Sequence, residues 1–250
     1  MLNKEREQEI INILKVTNGY VSVKYLCDTL YASESSIRRD LKELEKRGLV
    51  KRSYGGATFQ SNHSNIITFN KRTQQNMNAK RLIAKKAASY IEDGNIIFLD
   101  QSSTCFYLAD ELLNRSSLTV VTNNTEILIL LANSKVNVIS SGGYLSDENR
   151  NCLIGGDAQN TFSNMYADFV FFSTKSLTSE GIITDCSREE IIVRNTMLKN
   201  ANKRVFLCDS TKFGTRSSYK QCELSDVDYL ISEEDKAQQY SFYSKELILL

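Results

Sequence analysis

SESSIRRDLKELEKRGLVKRSYGGATF, residues 33–59, decides how the N-terminal part of the chain folds. Ser33 can accept from the amides of a following helical turn. Ile37, Leu41 and Leu44 then recur at four- and three-residue steps, the spacing of one buried helix face. Gly48 ends that helix, and LVKRSYGGATF reads as two short strands around Gly55 and Gly56. Upstream, Ile10, Ile11 and Leu14 predict a first helix over residues 3–16, stopped by Asn18 and Gly19. Ser22 can cap a second helix with Val23, Leu26, Cys27 and Leu30 facing inward. Three helices and a hairpin within residues 1–58 predict a winged helix-turn-helix. The polar run QSNHSN (60–65) centres a linker expected over residues 59–70.

From residue 71 to 250 the pattern changes to alternating helices and apolar strands. A long helix (72–91) precedes strand NIIFLD, and a helix (103–113), strand LTVVT (118–122), helix (124–132) and strand VNVIS (136–140) follow. Gly155 and Gly156 open a further helix. Then come strand DFVFFS (168–173), helix REEIIVRNTMLKNA (188–201) and strands RVFLCD (204–209) and DYLIS (228–232). Short connections between such elements imply a mostly parallel sheet flanked by helices, so the expected class is α/β with a separate winged helix-turn-helix. Ligands bind such sheets at the carboxyl ends of strands. Asp100, Ser102, Thr122, Asn123 and Asp209 fall there.

Charge is unevenly spread. The net charge is +1, from 31 Lys and Arg against 30 Asp and Glu, yet residues 71–91 contain Lys71, Arg72, Lys80, Arg81, Lys85 and Lys86 and no acid. That run reads as a solvated helix face. Residues 34–54 hold a second cationic excess, so a polyanion would meet the N-terminal third. The six cysteines form no C-x-x-C pair, which fits reduced thiols, several of them buried. No apolar run reaches the length of a membrane span, and the charged, helical start is not a signal peptide. A cytoplasmic protein is expected.

Outside the apolar stripe of the third helix lie Ser35, Ser36, Arg38, Arg39, Lys42 and Lys46. Serine and arginine near the helix start can reach base edges, arginine bonding guanine O6 and N7 together. Lys42, Lys46, Lys51 and Arg52 suit backbone phosphates, and Tyr54 with Gly55 forms a wing tip. A basic helix alone would equally serve a protein-binding bundle. The tight turn, basic third helix and basic wing together point to double-stranded DNA.

SESSIRRDLKELEKRGLVKRSYGGA resembles the N-terminal signature of the DeoR family of bacterial transcription regulators, with Ser36 where threonine is common and Tyr54 where histidine is common. DGNIIFLDQSST, TVVTNN, VISSGGYLSDENRNCLIGGDA, GIITD, EEIIVRNTMLKNA and CDSTKFG resemble successive blocks of that family's C-terminal sensor. The resemblance implies a sensor related in fold to ribose-5-phosphate isomerase, with a phosphorylated sugar or similar metabolite as effector. Ser102, Ser103 and Thr104 stand where the family has its phosphate loop. They would hold an anion on hydroxyls and helix-start amides, although serine and threonine there are also ordinary caps.

Further effector candidates are Asp100, Asn123, Gly142, Gly143, Asp157, Lys175, Asp185, Glu189 and Lys212. Each has a plainer role open to it: turn asparagine, conformational glycine, dipole-balancing acid or surface charge. Asp185, Glu189 and Lys175 could formally serve an aldose–ketose isomerase, the competing reading. The only histidine, His63, lies in the expected linker, which leaves no Ser-His-Asp or Cys-His site and no zinc cluster. No nucleotide-binding glycine loop is present. No cofactor is expected. A DNA-reading head on a small-molecule fold is most simply a ligand-controlled switch, a homodimer or larger homo-oligomer because paired half-sites suit paired heads. A repressor of a sugar or polyol operon is therefore expected.

Overall fold

The computed structural model describes residues 3–17, 19–47, 49–59, 69–233, 235–243 and 245–249. The chain divides into two compact units, residues 1–65 and 66–250. Asn18, Gly48 and QSNHSN (60–65), which the sequence suggested as breaks and linker, lie outside the described residues.

In the first unit, α1 (Asn3–Thr17), α2 (Val23–Leu30) and α3 (Glu34–Lys46) surround one apolar cluster. Ser22 and Ser33 cap α2 and α3 as their sequence suggests, accepting from the amides of Tyr25 and Ser36. Ile37, Leu41 and Leu44 are fully buried, about 2 kcal/mol of transfer free energy each. Strands β1 (Tyr20–Ser22), β2 (Val50–Ser53) and β3 (Gly56–Phe59) form an antiparallel sheet in the order β1-β3-β2. β1 was not read from the sequence, since three residues carry no usable period. It is set by pairing, Tyr20 opposite Thr58 and Ser22 opposite Gly56. The register needs glycine at 56, where a Cβ would lie 2.3 Å from the Val21 carbonyl oxygen. Asp40, buried beside the stripe, pairs with Arg6 at 2.6 Å and ties α3 to α1.

The second unit begins with α4 (Phe69–Gln74) and α5 (Met77–Ala88), not one helix over 72–91. The break falls at Asn76, at φ +50°, a left-handed conformation that asparagine tolerates better than most residues. Phe59 belongs to β3 and Phe69 and Asn70 to α4, so both ends of the expected linker are parts of elements.

β4 (Ile96–Leu99), α6 (Ser103–Glu111), β5 (Thr119–Thr122), α7 (Thr125–Leu131) and β6 (Asn137–Ser140) alternate as expected. They are followed by β7 (Tyr144–Leu145), β8 (Leu153–Ile154), α8 (Gly156–Ser163), β9 (Ala167–Phe172), β10 (Ser176–Leu177), β11 (Ile182–Asp185) and α9 (Arg188–Lys199). Last come β12 (Ala201–Leu207), β13 (Tyr219–Glu223), β14 (Tyr229–Ser232) and β15 (Glu246–Leu249). Among the described residues the main sheet has seven strands, β15-β14-β12-β9-β4-β5-β6, every pair parallel.

Both faces of this sheet are covered. Ile97, Leu99, Val120, Phe171 and Val205 pack with the helices α5, α6 and α7. Phe98, Val121, Val170, Phe172 and Phe206 pack with α8 and α9. Burial on both sides explains why these strands read as continuous apolar runs. From β4 the chain winds outward through β5 and β6, then returns to β9 on the other side. The reversal makes a topological switch point between β4 and β9, the position beyond whose strand ends sheets of this kind bind ligands. A smaller antiparallel sheet, β10-β11-β13, and the β7–β8 hairpin were not read from the sequence.

Candidate functional site

On the first unit, Ser35, Arg38, Arg39, Lys42, Lys46, Lys51, Arg52, Tyr54 and Gly55 are exposed and Ser36 is half-buried. The α3 residues among them share one face because the apolar stripe of α3 fixes the helix rotation, and Arg52 of β2 is joined to that helix through Glu45. Several cations are already paired: Arg38 with Glu34 at 2.6 Å, Lys46 with Glu43 at 3.4 Å, and Arg52 with Glu45 at 3.7 Å. Arg39, Lys42 and Lys51 make no ion pair among the described residues, so they carry the unneutralised charge of the face. Tyr54, fully exposed, leads into Gly55 at φ +76°, and the Tyr20 hydroxyl donates to the Tyr54 carbonyl at 3.0 Å, bracing the wing tip.

On the second unit, the switch point is organised by Asp100. One carboxylate oxygen accepts from the Ser102 amide at 3.0 Å; the other accepts from the Ser173 amide at 3.2 Å and from Arg194 Nε at 2.9 Å. Asp100 thereby staples the end of β4 to the end of β9. Arg194 also pairs with Asp185 at 3.1 Å and donates to Gln221 at 2.8 Å. Burial works against its charge, but Asp100, Asp185 and Glu190 around it hold the guanidinium charged.

Glu190, not Glu189, enters the pocket. Its carboxylate accepts from Asn149 at 2.8 Å and Gln101 at 2.7 Å, while burial and then Asp185 push its pKa up. Glu189 is exposed. The signal was present in the helix period: Glu190, Arg194 and Met197 fall on the buried stripe of α9, and Glu189 lies about 100° away from Glu190. Arg194, Glu190, Gln101 and Asn149 were not among the sequence candidates: the two charged residues could be found from the helix period, whereas the two amides are placed only by long-range packing.

The Ser102–Thr104 loop opens α6. Ser102 is a cap, its hydroxyl accepting from the Cys105 amide at 3.1 Å. Ser103 is buried, and Thr104 Oγ1 is buried without a hydrogen-bond partner. Asn123, after β5, donates to the Leu153 carbonyl at 3.2 Å, and its Oδ1 is likewise buried and unpartnered. An unsatisfied buried polar atom costs about 1–3 kcal/mol, so each of these two leaves a hydrogen bond that the described residues do not supply.

Cations gather beside them. Lys212 donates to Ser173 Oγ and pairs with Asp209 at 3.3 Å. Lys80 is buried; burial and then Lys212 lower its pKa to about 8, with Asp209 opposing and Arg72 and Lys175 adding to the effect. Burial raises the pKa of Asp209, but Lys212, Thr211, Asn76 and Lys80 outweigh it and hold the carboxyl well below the usual range. Of the cations in residues 71–91, Lys71, Arg81 and Lys85 are exposed as the reading of a solvated face expects, and Lys80 and Arg72 depart from it. Lys80 is in phase with the buried Ile83, Ala84 and Ala87 of α5, and Arg72 turns two guanidinium nitrogens inward.

The remaining candidates are not brought into this cluster by contacts. Lys175 and Asp157 are exposed, Asp157 in the first turn of α8. Gly143, at φ +95°, has a packing role, since a Cβ there would meet the Ile154 carbonyl oxygen at 2.2 Å. Gly142 is exposed, with open space around it. All six cysteines are free thiols; Cys105, Cys152 and Cys208 are buried.

Comparison with known proteins supplies the context for these two sites. Residues 6–63 match a DeoR-like helix-turn-helix domain, and residues 75–234 match the DeoR C terminal sensor domain. The chain is 36% identical to the HTH-type transcriptional regulator GolR of Listeria innocua, over 92% of this chain and 90% of that protein. It is 30% identical to the HTH-type transcriptional repressor GlcR of Bacillus subtilis, over 93% of this chain and 89% of the relative. Among solved structures it is similar to ribose 5-phosphate isomerase A of Methanocaldococcus jannaschii, with 18% identity, a TM-score of 0.42, and 56% of this chain and 55% of that one covered. That likeness concerns the fold and says nothing of activity. A helix-turn-helix head joined to a sensor domain defines the class of DNA-binding transcriptional regulators. Within it, the chain belongs to the DeoR family.

Proposed function

We propose that this regulator is a cytoplasmic repressor of a sugar or polyol utilisation operon, controlled by a phosphorylated sugar bound at the β4–β9 switch point. The observation that supports the effector site is the run of contacts from Lys212 through Ser173 and Asp100 to Ser102 at the ends of β4 and β9, with Lys80 beside Lys212 and with Thr104 Oγ1 and Asn123 Oδ1 buried without partners after β4 and β5. Helix-start amides at Ser103 and Thr104 and the two ammonium groups suit a phosphate, and the Asn123 side-chain oxygen Oδ1 suits a sugar hydroxyl. On the head, Ser35, Ser36, Arg38 and Arg39 read base edges, Lys42, Lys46, Lys51 and Arg52 meet phosphates, and Tyr54 and Gly55 lie along the duplex. Two heads of a homodimer address paired half-sites.

The site senses rather than converts. A proton-abstracting carboxylate must be free to reach a substrate carbon. Asp185 is bound to Arg194 and the Cys186 amide, and both oxygens of Glu190 accept from side-chain amides. The effector acts by binding the operator-competent and operator-incompetent states with different affinity. The test is a thermal-shift screen with phosphorylated and unphosphorylated sugars, followed by NMR of the best binder incubated with the protein. A hundredfold excess over Kd stabilises by about 3 kcal/mol. The expected result is a bound, unconsumed sugar phosphate that changes operator affinity. Turnover on the order of 1 per second would make the isomerase reading correct.

A further inference from the structure

Arg72 carries donors that the described residues leave unsatisfied. It sits on α4, and its Nε and Nη2 are buried with no hydrogen-bond partner. The guanidinium carbon lies 5.4 Å from the centre of the Phe69 ring, which shields one face of the group without satisfying its donors. Its charge is felt at Glu190, Cys186 and Cys152 and also at Lys80, so it stands among the charged groups of the proposed site. The carboxylates there are engaged. Asp100 and Asp185 hold Arg194, Glu190 holds Gln101 and Asn149, and Asp209 holds Lys212 and Asn76. A guanidinium with a planar fork of donors, two of its nitrogens buried and unpartnered on a half-buried side chain, fits an oxyanion supplied from outside the chain.

The element carrying it is tied to the same pocket from behind. Lys80 Nζ donates to the carbonyl oxygens of Arg72 and Gln75 at the end of α4. Asn76, in the left-handed break, donates to Asp209 at 3.1 Å. Phe69 meets Phe106 of α6 edge to face at 5.7 Å, and the Tyr107 hydroxyl donates to the Thr73 carbonyl at 2.9 Å. α4 is therefore fastened to groups that line the pocket, and it is the first described element after the segment that joins the two units.

We propose that Arg72 binds an oxyanion of the effector and that α4, held by Lys80 and Asn76, carries pocket occupancy to the segment leading to the DNA-binding unit. Arg72 is thus both an effector-recognising and a coupling residue. This rests on the effector site proposed above. Its ligand chemistry is a phosphate or carboxylate oxyanion. Inorganic phosphate, an unphosphorylated hexose, the corresponding hexose 6-phosphate and the corresponding sugar acid separate the possibilities.

The experiment uses the full chain, wild type and Arg72→Gln and Arg72→Lys, with those four probes in calorimetry and the tightest binder in operator titrations. Hydrogen exchange of residues 69–76 is followed with and without that binder. In the wild type, an anionic sugar should bind and slow exchange across α4, whereas the unphosphorylated hexose should not. Arg72→Gln should bind the anionic sugar at least tenfold more weakly. Its ratio of operator affinities with and without saturating ligand should fall towards 1, and Arg72→Lys should recover part of both losses. If no anionic sugar binds the wild type, the effector reading itself fails. If one binds and exchange in α4 is unchanged, or Arg72→Gln keeps wild-type affinity or a full operator response at saturation, the coupling role is overturned while the effector reading stands. Should Arg72→Gln not fold, the wild-type exchange data and Arg72→Lys still decide.

Discussion

The surface of α3 proposed to face DNA and the effector site proposed at the β4–β9 switch point are both polar, and they are built in opposite ways. On α3 the functional groups are near neighbours in sequence and exposed, so each can be altered with little effect on the apolar stripe beneath. In the pocket the groups come from Arg72 to Gln221, and most are buried. There a side chain that binds ligand stands next to one that holds the sheet together. Function and stability should therefore separate cleanly on the head and be entangled in the sensor, and five expected outcomes sharpen or break that contrast.

The largest effect should come from Arg194→Met. It leaves Asp100 and Asp185 buried without their partner, a loss of about 3–5 kcal/mol. In a domain of this size that lowers Tm by roughly 10 °C, measured by calorimetry. A change of a degree or two would mean the ion cluster is not structural, and the contrast would collapse.

Arg39→Ala should do the reverse, costing about 1–3 kcal/mol of operator binding at one fixed salt concentration while Tm stays put. Arg38→Ala should cost less than Arg39→Ala, because Arg38 is already paired with Glu34 at 2.6 Å. Equal losses would show that the intrahelical pair dissolves on DNA.

A smaller effect should appear in the pH dependence of effector binding. Lys80 has a pKa of about 8, set by burial and then by Lys212, with Asp209 opposing and Arg72 and Lys175 adding to the lowering. A phosphate seated nearby favours the charged form and raises that pKa, so binding takes up a proton once the free protein has lost one. Affinity should be flat below about 8 and weaken above it, approaching tenfold per pH unit. Calorimetry from pH 7 to 9.5 checks this, and a flat profile would place the anion away from Lys80.

The smallest effect is expected of Thr104→Val. Removing an unpartnered buried hydroxyl should leave the ligand-free protein as stable as before or about 1 kcal/mol more stable, while weakening effector binding by a similar amount. Lost stability would mean that Oγ1 serves the fold rather than the ligand.

Much of the head was legible. Ser22 and Ser33 are caps because a hydroxyl two or three residues ahead of free amides finds them locally, and Ile37, Leu41 and Leu44 report helix phase by spacing alone. In the second unit the order of β4, α6, β5, α7 and β6 was equally plain, because strands covered on both faces read as apolar runs. The strand-end positions Asp100 and Asn123 followed from that order. What was misread had the right period and the wrong chemistry: Lys80 and Glu190 lie on buried stripes, and were passed over because charge was equated with exposure.

Sequence periodicity and local capping thus determined the α3 helix with its exposed basic face and the order of strands and helices from β4 to β6, since each depends on neighbours within a few residues. Tertiary structure alone decided which charges enter the pocket and which partners they find. Arg194 meets Asp100 across 94 positions of chain, and Asn76 meets Asp209 across 133. The free energy of a buried charge depends on what surrounds it after packing, and no local pattern carries that information.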